Sequence, residues 1–221
     1  MVYIKEFEEY DDYVAYISSR DALFPNVSYC EDTPNEIYFN PYVDPFNGHD
    51  YVDLGLPSGT KWATMNVGAT GVTGCGGYYQ YGKGAEPYSV THSQASYDGV
   101  EDPLAASADT ASVVMGGAWH MPTQEQVREL TANTTSAWVT TYEGVAVTGA
   151  KFTSKTNGNV LFIPLCGYYL NGGLFDDEYS MFWTSTPNGD ANAYSVLFQK
   201  KFWYVGEQSR NCGCSVRGVV G

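Results

Sequence analysis

Basic residues are scarce. The chain carries 11 Lys and Arg against 25 Asp and Glu over 221 residues, a formal net charge of -14. Phosphate contacts need clustered cations, so this balance excludes a general nucleic-acid binder, and an anionic membrane surface would repel the chain too. Acidic charge otherwise supplies solubility by self-repulsion. Histidine is scarcer still. His49, His92 and His120 sit in unrelated segments and form neither a His-x-x-x-His nor an HExxH pattern, so no metal or general-base constellation is visible. No apolar run is long enough to cross a bilayer as a helix, which excludes membrane insertion of that kind. The start, Met1-Val2-Tyr3-Ile4-Lys5-Glu6, lacks the basic opening, apolar core and small-residue cleavage site of a secretory leader. The five cysteines, Cys30, Cys75, Cys166, Cys212 and Cys214, are odd in number and lack metal-site spacing. Cys212 and Cys214 fall on one face of a strand and could form a bridge or begin a metal site, but no second pair completes one. All five are read as reduced or buried thiols, which points to synthesis in a reducing cytoplasm.

What the chain has in abundance is Tyr, at 19 against 10 Phe and 5 Trp, and Gly, at 24. That pairing suits turns, short strands and amphipathic contact surfaces. The length allows one good core with a small addition. Phe7, Tyr10, Val14 and Ile17 recur at helical spacing among acidic residues, which predicts an amphipathic helix over 5–20 whose apolar stripe packs on its own domain or on a partner. Two β-prone runs, Val27 to Cys30 and Glu36 to Phe39, flank a polar turn and predict a hairpin. Asn40-Pro41, Asp44-Pro45 and Asn47-Gly48 break the pattern. The boundary is placed near residue 46, giving an appendage at 1–46, for oligomerisation or attachment, and a main domain at 47–221.

Within the main domain, residues 51–63 read as strand, tight turn, strand, and the Gly/Tyr/Ser-rich stretch from Gly68 to Ala108 as a long structured loop. Asp109 caps a short helix that stops at Gly116-Gly117. Thr123-Gln124-Glu125-Gln126 is a capping box for a second helix that buries Val127 and Leu130 and ends near Ala132. From Trp138 onward the pattern is β, through Val145–Val147, Val160–Ile163, Phe182-Trp183, Tyr194–Phe198, Phe202–Val205 and Val216–Val219. The expected fold class is therefore α+β, with two short helices in a mostly antiparallel β domain and a small N-terminal helix-hairpin appendage.

Tyr51-Val52-Asp53-Leu54-Gly55-Leu56-Pro57-Ser58-Gly59, Trp62-Ala63, Asn66-Val67-Gly68-Ala69, Gly117-Ala118-Trp119-His120-Met121-Pro122-Thr123, Phe182-Trp183-Thr184-Ser185-Thr186 and Ser215-Val216-Arg217 follow one another in order. Together they resemble the Fibrobacter succinogenes major paralogous domain, over about residues 47 to 219. The resemblance implies a C-type-lectin-like fold, related to the formylglycine-generating-enzyme type of domain and shared with the variable proteins of diversity-generating retroelements, phage receptor-binding tail proteins among them. The N-terminal hairpin segment is similar to the leaders of phage and prophage structural proteins of gut Bacteroidetes. Two departures stand out: His120 replaces the usual basic residue before Met-Pro-Thr, and Gly218 the usual Pro after Ser-Val-Arg. His120 is expected to pack or hydrogen-bond beside Trp119, and Trp62, Trp119 and Trp183 to be core.

No enzyme is expected, because the Cys-x-Cys does not match a formylglycine-generating pair. Glu86-Pro87-Tyr88 only superficially resembles the Glu-Pro-Asn sugar-binding triplet. Asp176-Asp177-Glu178 offers oxygen ligands for calcium but reads as a solvated turn, so no metal and no cofactor are expected. Asn188-Gly189-Asp190 is a turn. In the last strands, Ala193, Val196, Phe198, Val205, Gly213, Ser215 and Val216 form the scaffold and the residues between them a surface. The ligand face is assigned to Leu197, Gln199, Phe202, Trp203, Tyr204, Gln208, Ser209, Asn211, Cys212 and Cys214, with the three consecutive aromatics as anchors. Retroelement diversification acts on adenine-containing codons; it permits Phe202, Tyr204, Ser209, Asn211, Cys212 and Cys214 but not Trp203 or Gln208. The partner so implied is a host cell-surface protein or glycan, met by a homo-oligomer. The chain is expected on a virion tail after cytoplasmic synthesis, or alternatively on a bacterial cell surface as an adhesin; a structural virion component without a receptor role is the third reading.

Overall fold

The computed structural model describes residues 27–29, 37–39, 44–91, 101–102, 104–175, 179–199 and 202–221. The helix expected over 5–20, the acidic triplet at 176–178, and His92 lie outside the described residues. The chain divides into two units, Met1–Asp44 and Pro45–Gly221. In the first, β1 (Val27–Tyr29) and β2 (Ile37–Phe39) pair antiparallel with Val27 opposite Phe39, the hairpin read from the sequence.

In the second unit, both helices start where side chains satisfy the exposed amides of their first turns. Helix α1 (Thr110–Met115) begins at Asp109, whose carboxylate accepts from the Ser112 amide at 2.9 Å, and ends at Gly116 with φ 70°. Helix α2 (Gln124–Asn133) has the full capping box. Thr123 Oγ1 accepts from the Gln126 amide at 3.1 Å, and Gln126 Oε1 accepts from the Thr123 amide at 2.9 Å. The Asp109 carboxylate also accepts the Met121 amide through both oxygens, at 3.1 and 2.9 Å. It thereby ties the start of one helix to the approach to the next, in a site only 3% exposed. Asp109→Ala removes the cap and strands a buried amide, so it is expected to cost about 2–3 kcal/mol, read as a lowered urea midpoint with an unchanged m-value.

The strands form three three-stranded antiparallel sheets and one further hairpin. β3 (Tyr51–Asp53) and β4 (Lys61–Asn66) are joined by the last strand, β13 (Arg217–Val220), so the two ends of this unit close on each other in the order β13-β4-β3. β5 (Thr134–Tyr142), β6 (Val145–Ser154) and β7 (Val160–Pro164) make the second sheet, and β8 (Tyr168–Leu170) with β9 (Gly173–Phe175) the hairpin. β10 (Tyr179–Asn188), β11 (Asn192–Gln199) and β12 (Phe202–Ser209) make the third. Among the described residues, 67–108 contain no helix or strand, only bridges such as Tyr79 to Cys214, in keeping with the structured loop expected there. This is an α+β architecture with two short helices in a mostly antiparallel β domain.

The third sheet is a wall between two cores. On β10, Met181 and Trp183 enter a cluster with Trp119, Met121 and Val216, while Phe182 enters a second with Trp62, Leu130 and Phe152. On β11, Ala193 and Leu197 face the first cluster and Val196 and Phe198 the second. The period-two side-chain alternation of a strand buried on both faces produces this division. Trp62, Trp119 and Trp183 are buried as expected. His120 donates from Nδ1 to the Met121 carbonyl at 2.8 Å. Gly218 has a packing reason, since a Cβ there would lie 2.7 Å from Met115 Sδ and 3.1 Å from the Trp119 ring.

One expectation is overturned. Cys75 and Cys166 form a disulfide with a Cα–Cα distance of 5.3 Å, so the five cysteines are not all thiols. The partners stand 91 residues apart, one in an irregular loop and one just after β7, and no local spacing relates them. Cys212 and Cys214 are free and buried.

Candidate functional site

Strand register places the side chains of the third sheet in rows. Tyr179, Gln199 and Phe202 stand opposite one another, then Met181, Leu197 and Tyr204, then Trp183, Ser195 and Gly206. Alternation puts all three rows on one face. That face runs from buried Trp183 and Met181, through half-buried Leu197, to Tyr179, Phe202 and Tyr204 at 38%, 51% and 49% exposure. The Phe202 and Tyr204 rings stack with centroids 6.4 Å apart and planes 18° from parallel. Gly206 makes room for this: a Cβ there would come within 2.8 Å of the Tyr204 ring, which lies along the strand across the glycine. Tyr168 stacks on Phe175 at 5.3 Å, with Phe175 half exposed. Burial pushes the Tyr168 phenol up, and Cys212, Cys214 and Tyr179 beside it push the same way.

The assigned face thus keeps Leu197, Gln199, Phe202, Tyr204 and Gln208, which share one side of the sheet by register. Trp203 does not join them. It points the opposite way, packs against the second core and sits edge-on to Phe152 at 6.2 Å, because an immediate neighbour on a strand must face the other side. Ser209 pairs with Asn192 at the strand end, and Asn211 is half-buried with its carbonyl accepting from Gln80 Nε2 at 2.9 Å.

Cys212 and Cys214 are also corrected. Both are 0% exposed in the first core, where Cys214 exchanges backbone hydrogen bonds with Tyr79 at 2.9 and 3.0 Å. The chain at 210–216 is pulled inward to bridge to the 79–81 loop, so alternation counted from β12 no longer applies beyond Ser209. Gln208 Nε2 donates to Cys212 Sγ at 2.8 Å, which makes that thiol part of the floor under the face. Burial pushes both thiols up, Cys214 well above the ordinary value. Neither is expected to react with iodoacetamide at pH 8 in the folded protein, whereas both should label in urea, as peptide mapping by mass spectrometry will show.

Sequence reasoning missed Tyr168, Phe175 and Tyr179. For Tyr179 the signal was present, since it alternates with Met181 and Trp183 on the strand that neighbours β11. Tyr168 and Phe175 reach the area through a separate hairpin, which no periodicity announces. Among the described residues no group of three or more His, Cys, Asp or Glu is placed to hold a metal ion, and no helix is long and apolar enough to cross a membrane. No family model, no curated protein and no solved structure matches the chain.

Proposed function

We propose that this chain is a non-enzymatic recognition protein with a C-type-lectin-like fold, as its resemblance to the Fibrobacter succinogenes major paralogous domain implies. In this reading it is a phage or prophage tail-associated receptor binder that acts as a homo-oligomer, with residues 1–46 serving oligomerisation or attachment. The observation that carries it is the stacked, half-exposed pair Phe202 and Tyr204 beside Tyr179 on a sheet whose other face is core. Aromatic rings held on a rigid strand offer a large contact area with little conformational entropy to lose, and exposed apolar patches of this kind mark interaction surfaces. Retroelement diversification would act on Phe202, Tyr204, Ser209 and Asn211. The buried thiols Cys212 and Cys214 add no support to it.

A bacterial surface adhesin is the second reading. The Cys75–Cys166 disulfide favours work in oxidising surroundings, which both a cell surface and a released virion provide. The test is adsorption of the purified protein to a panel of gut Bacteroidetes strains, with the Phe202→Ala/Tyr204→Ala double variant beside it. Loss of more than about thirtyfold in apparent affinity is expected, with the melting temperature preserved because both rings are half exposed. Adsorption unchanged by the double variant would sink the assignment of this face.

A further inference from the structure

A concave site is lined by residues other than those of the aromatic face. Tyr78, Tyr88 and Tyr169 line an open cleft of about 440 Å³, with Pro87, Val90 and Gly172 completing its wall. Tyr168 and Tyr169 are neighbours on β8, so their side chains leave opposite sides of the hairpin: Tyr168 goes to Phe175 and Tyr169 to this cleft.

The walls are fixed from several directions. Tyr88 stacks on Tyr169 with centroids 5.1 Å apart and planes 24° from parallel, and Tyr78 meets Tyr169 edge-on at 5.0 Å. The Tyr88 hydroxyl accepts from the Gly172 amide at 2.9 Å, and the Tyr78 hydroxyl donates to the Cys166 carbonyl. Gly213 lets the Tyr88 ring lie against the backbone, where a Cβ would stand 2.7 Å from it. Tyr78 and Tyr169 each stand three residues beyond a half-cystine of the Cys75–Cys166 bond, so the disulfide ties together the two segments that carry them. A cleft pinned in this way loses little freedom when a ligand enters.

We propose that this cleft binds a neutral saccharide of one or two rings. Among the described residues no charged side chain lines it, and a chain of net charge -14 offers little to an anion. Its volume falls within the range of small-ligand pockets. Tyrosine faces carry negative quadrupole potential and attract the weakly positive C–H face of a pyranose, while hydroxyls at the rim meet the polar edge of the sugar. The Tyr169 hydroxyl has no hydrogen-bond partner among the described residues, and the Tyr88 hydroxyl, used only as an acceptor, keeps its proton to donate. Ser89 Oγ, on the lining, lies 2.8 Å from Thr91 Oγ1.

The test is saturation-transfer NMR and calorimetric titration of the full chain with methyl hexopyranosides, the β-linked disaccharide of N-acetylglucosamine and, as an anionic probe, methyl glucuronide. Transfer to ring C–H protons of at least one neutral probe is expected. Tyr169→Phe, which keeps the stack and removes only the unpartnered hydroxyl, should weaken binding by roughly three- to tenfold. Val90→Arg, at a position 67% exposed and therefore harmless to folding, should weaken it further by filling the mouth. The Phe202→Ala/Tyr204→Ala variant should bind the saccharide like the unaltered chain, so this site and the aromatic face fail or stand separately. Absence of transfer from every neutral probe, tighter binding of the glucuronide, binding untouched by both cleft variants, or binding lost only in the Phe202/Tyr204 variant would each overturn the proposal.

Discussion

Replacing both Cys75 and Cys166 by Ala is expected to lower the melting temperature by about 10 °C. The bond spans 91 residues, from the irregular loop that carries Tyr78 to the segment after β7. A cross-link of that span removes unfolded-state entropy worth about 4–5 kcal/mol in the loop-closure model, and native bonds removed from small domains cost about 2–5 kcal/mol. For a chain of this size each kcal/mol moves the midpoint by about 2–4 °C. The consequence should be local as well as global. The loop at 67–91 has no strand or helix to hold it, so hydrogen exchange there should accelerate more than in β5, β6 and β7, which make their own ladders. Dithiothreitol added to the unaltered protein should reproduce the shift. Equal melting temperatures with and without reductant would mean that the loop is held by Tyr79, Tyr81 and their backbone bonds alone.

The contrast between that loop and the helices shows what local sequence can carry. Thr123 and Gln126 cap α2 through atoms three residues apart, and Asp109 caps α1 in the same way, so both starts were legible. So were β10 and β11, whose apolar runs suit strands buried between two cores, but not the β8-β9 hairpin, which no such run marks. The disulfide and the inward course of 210–216 were not legible. Each depends on a partner far along the chain, Cys166 for Cys75 and Tyr79 for Cys214, and nothing in the intervening sequence encodes the meeting. The same limit misplaced Trp203. A run of three aromatics suggests one surface, but a strand assigns neighbours to opposite faces, and the core behind β12 takes the middle one. Gly206 was the unread clue on the exposed side, since only its missing Cβ lets Tyr204 lie flat.

Arg217→Ala is expected to cost about 3–5 kcal/mol, and Arg217→Lys at least as much as Arg217→Met. Arg217 opens β13 and is wholly buried. Its Nη1 donates to the Ala63 carbonyl on β4 at 3.0 Å and its Nη2 to the Phe162 carbonyl on β7 at 3.2 Å. One side chain therefore staples the first sheet to the second. Among the described residues no carboxylate pairs with it, and Nε has no partner. Burial pulls the guanidinium down to about 9, so it is still charged at neutral pH and its desolvation is a standing cost. What favours Arg is the planar fork that reaches two carbonyls at once, not the charge. Alanine loses both bonds and leaves a cavity. Methionine loses the bonds but fills the volume and removes the buried charge. Lysine keeps the charge, reaches at most one of the two carbonyls, and combines the worse features of each. Urea unfolding of the three variants gives the order directly. A lysine variant as stable as the original would show that positive charge at this position, rather than the two-carbonyl staple, is what the fold uses.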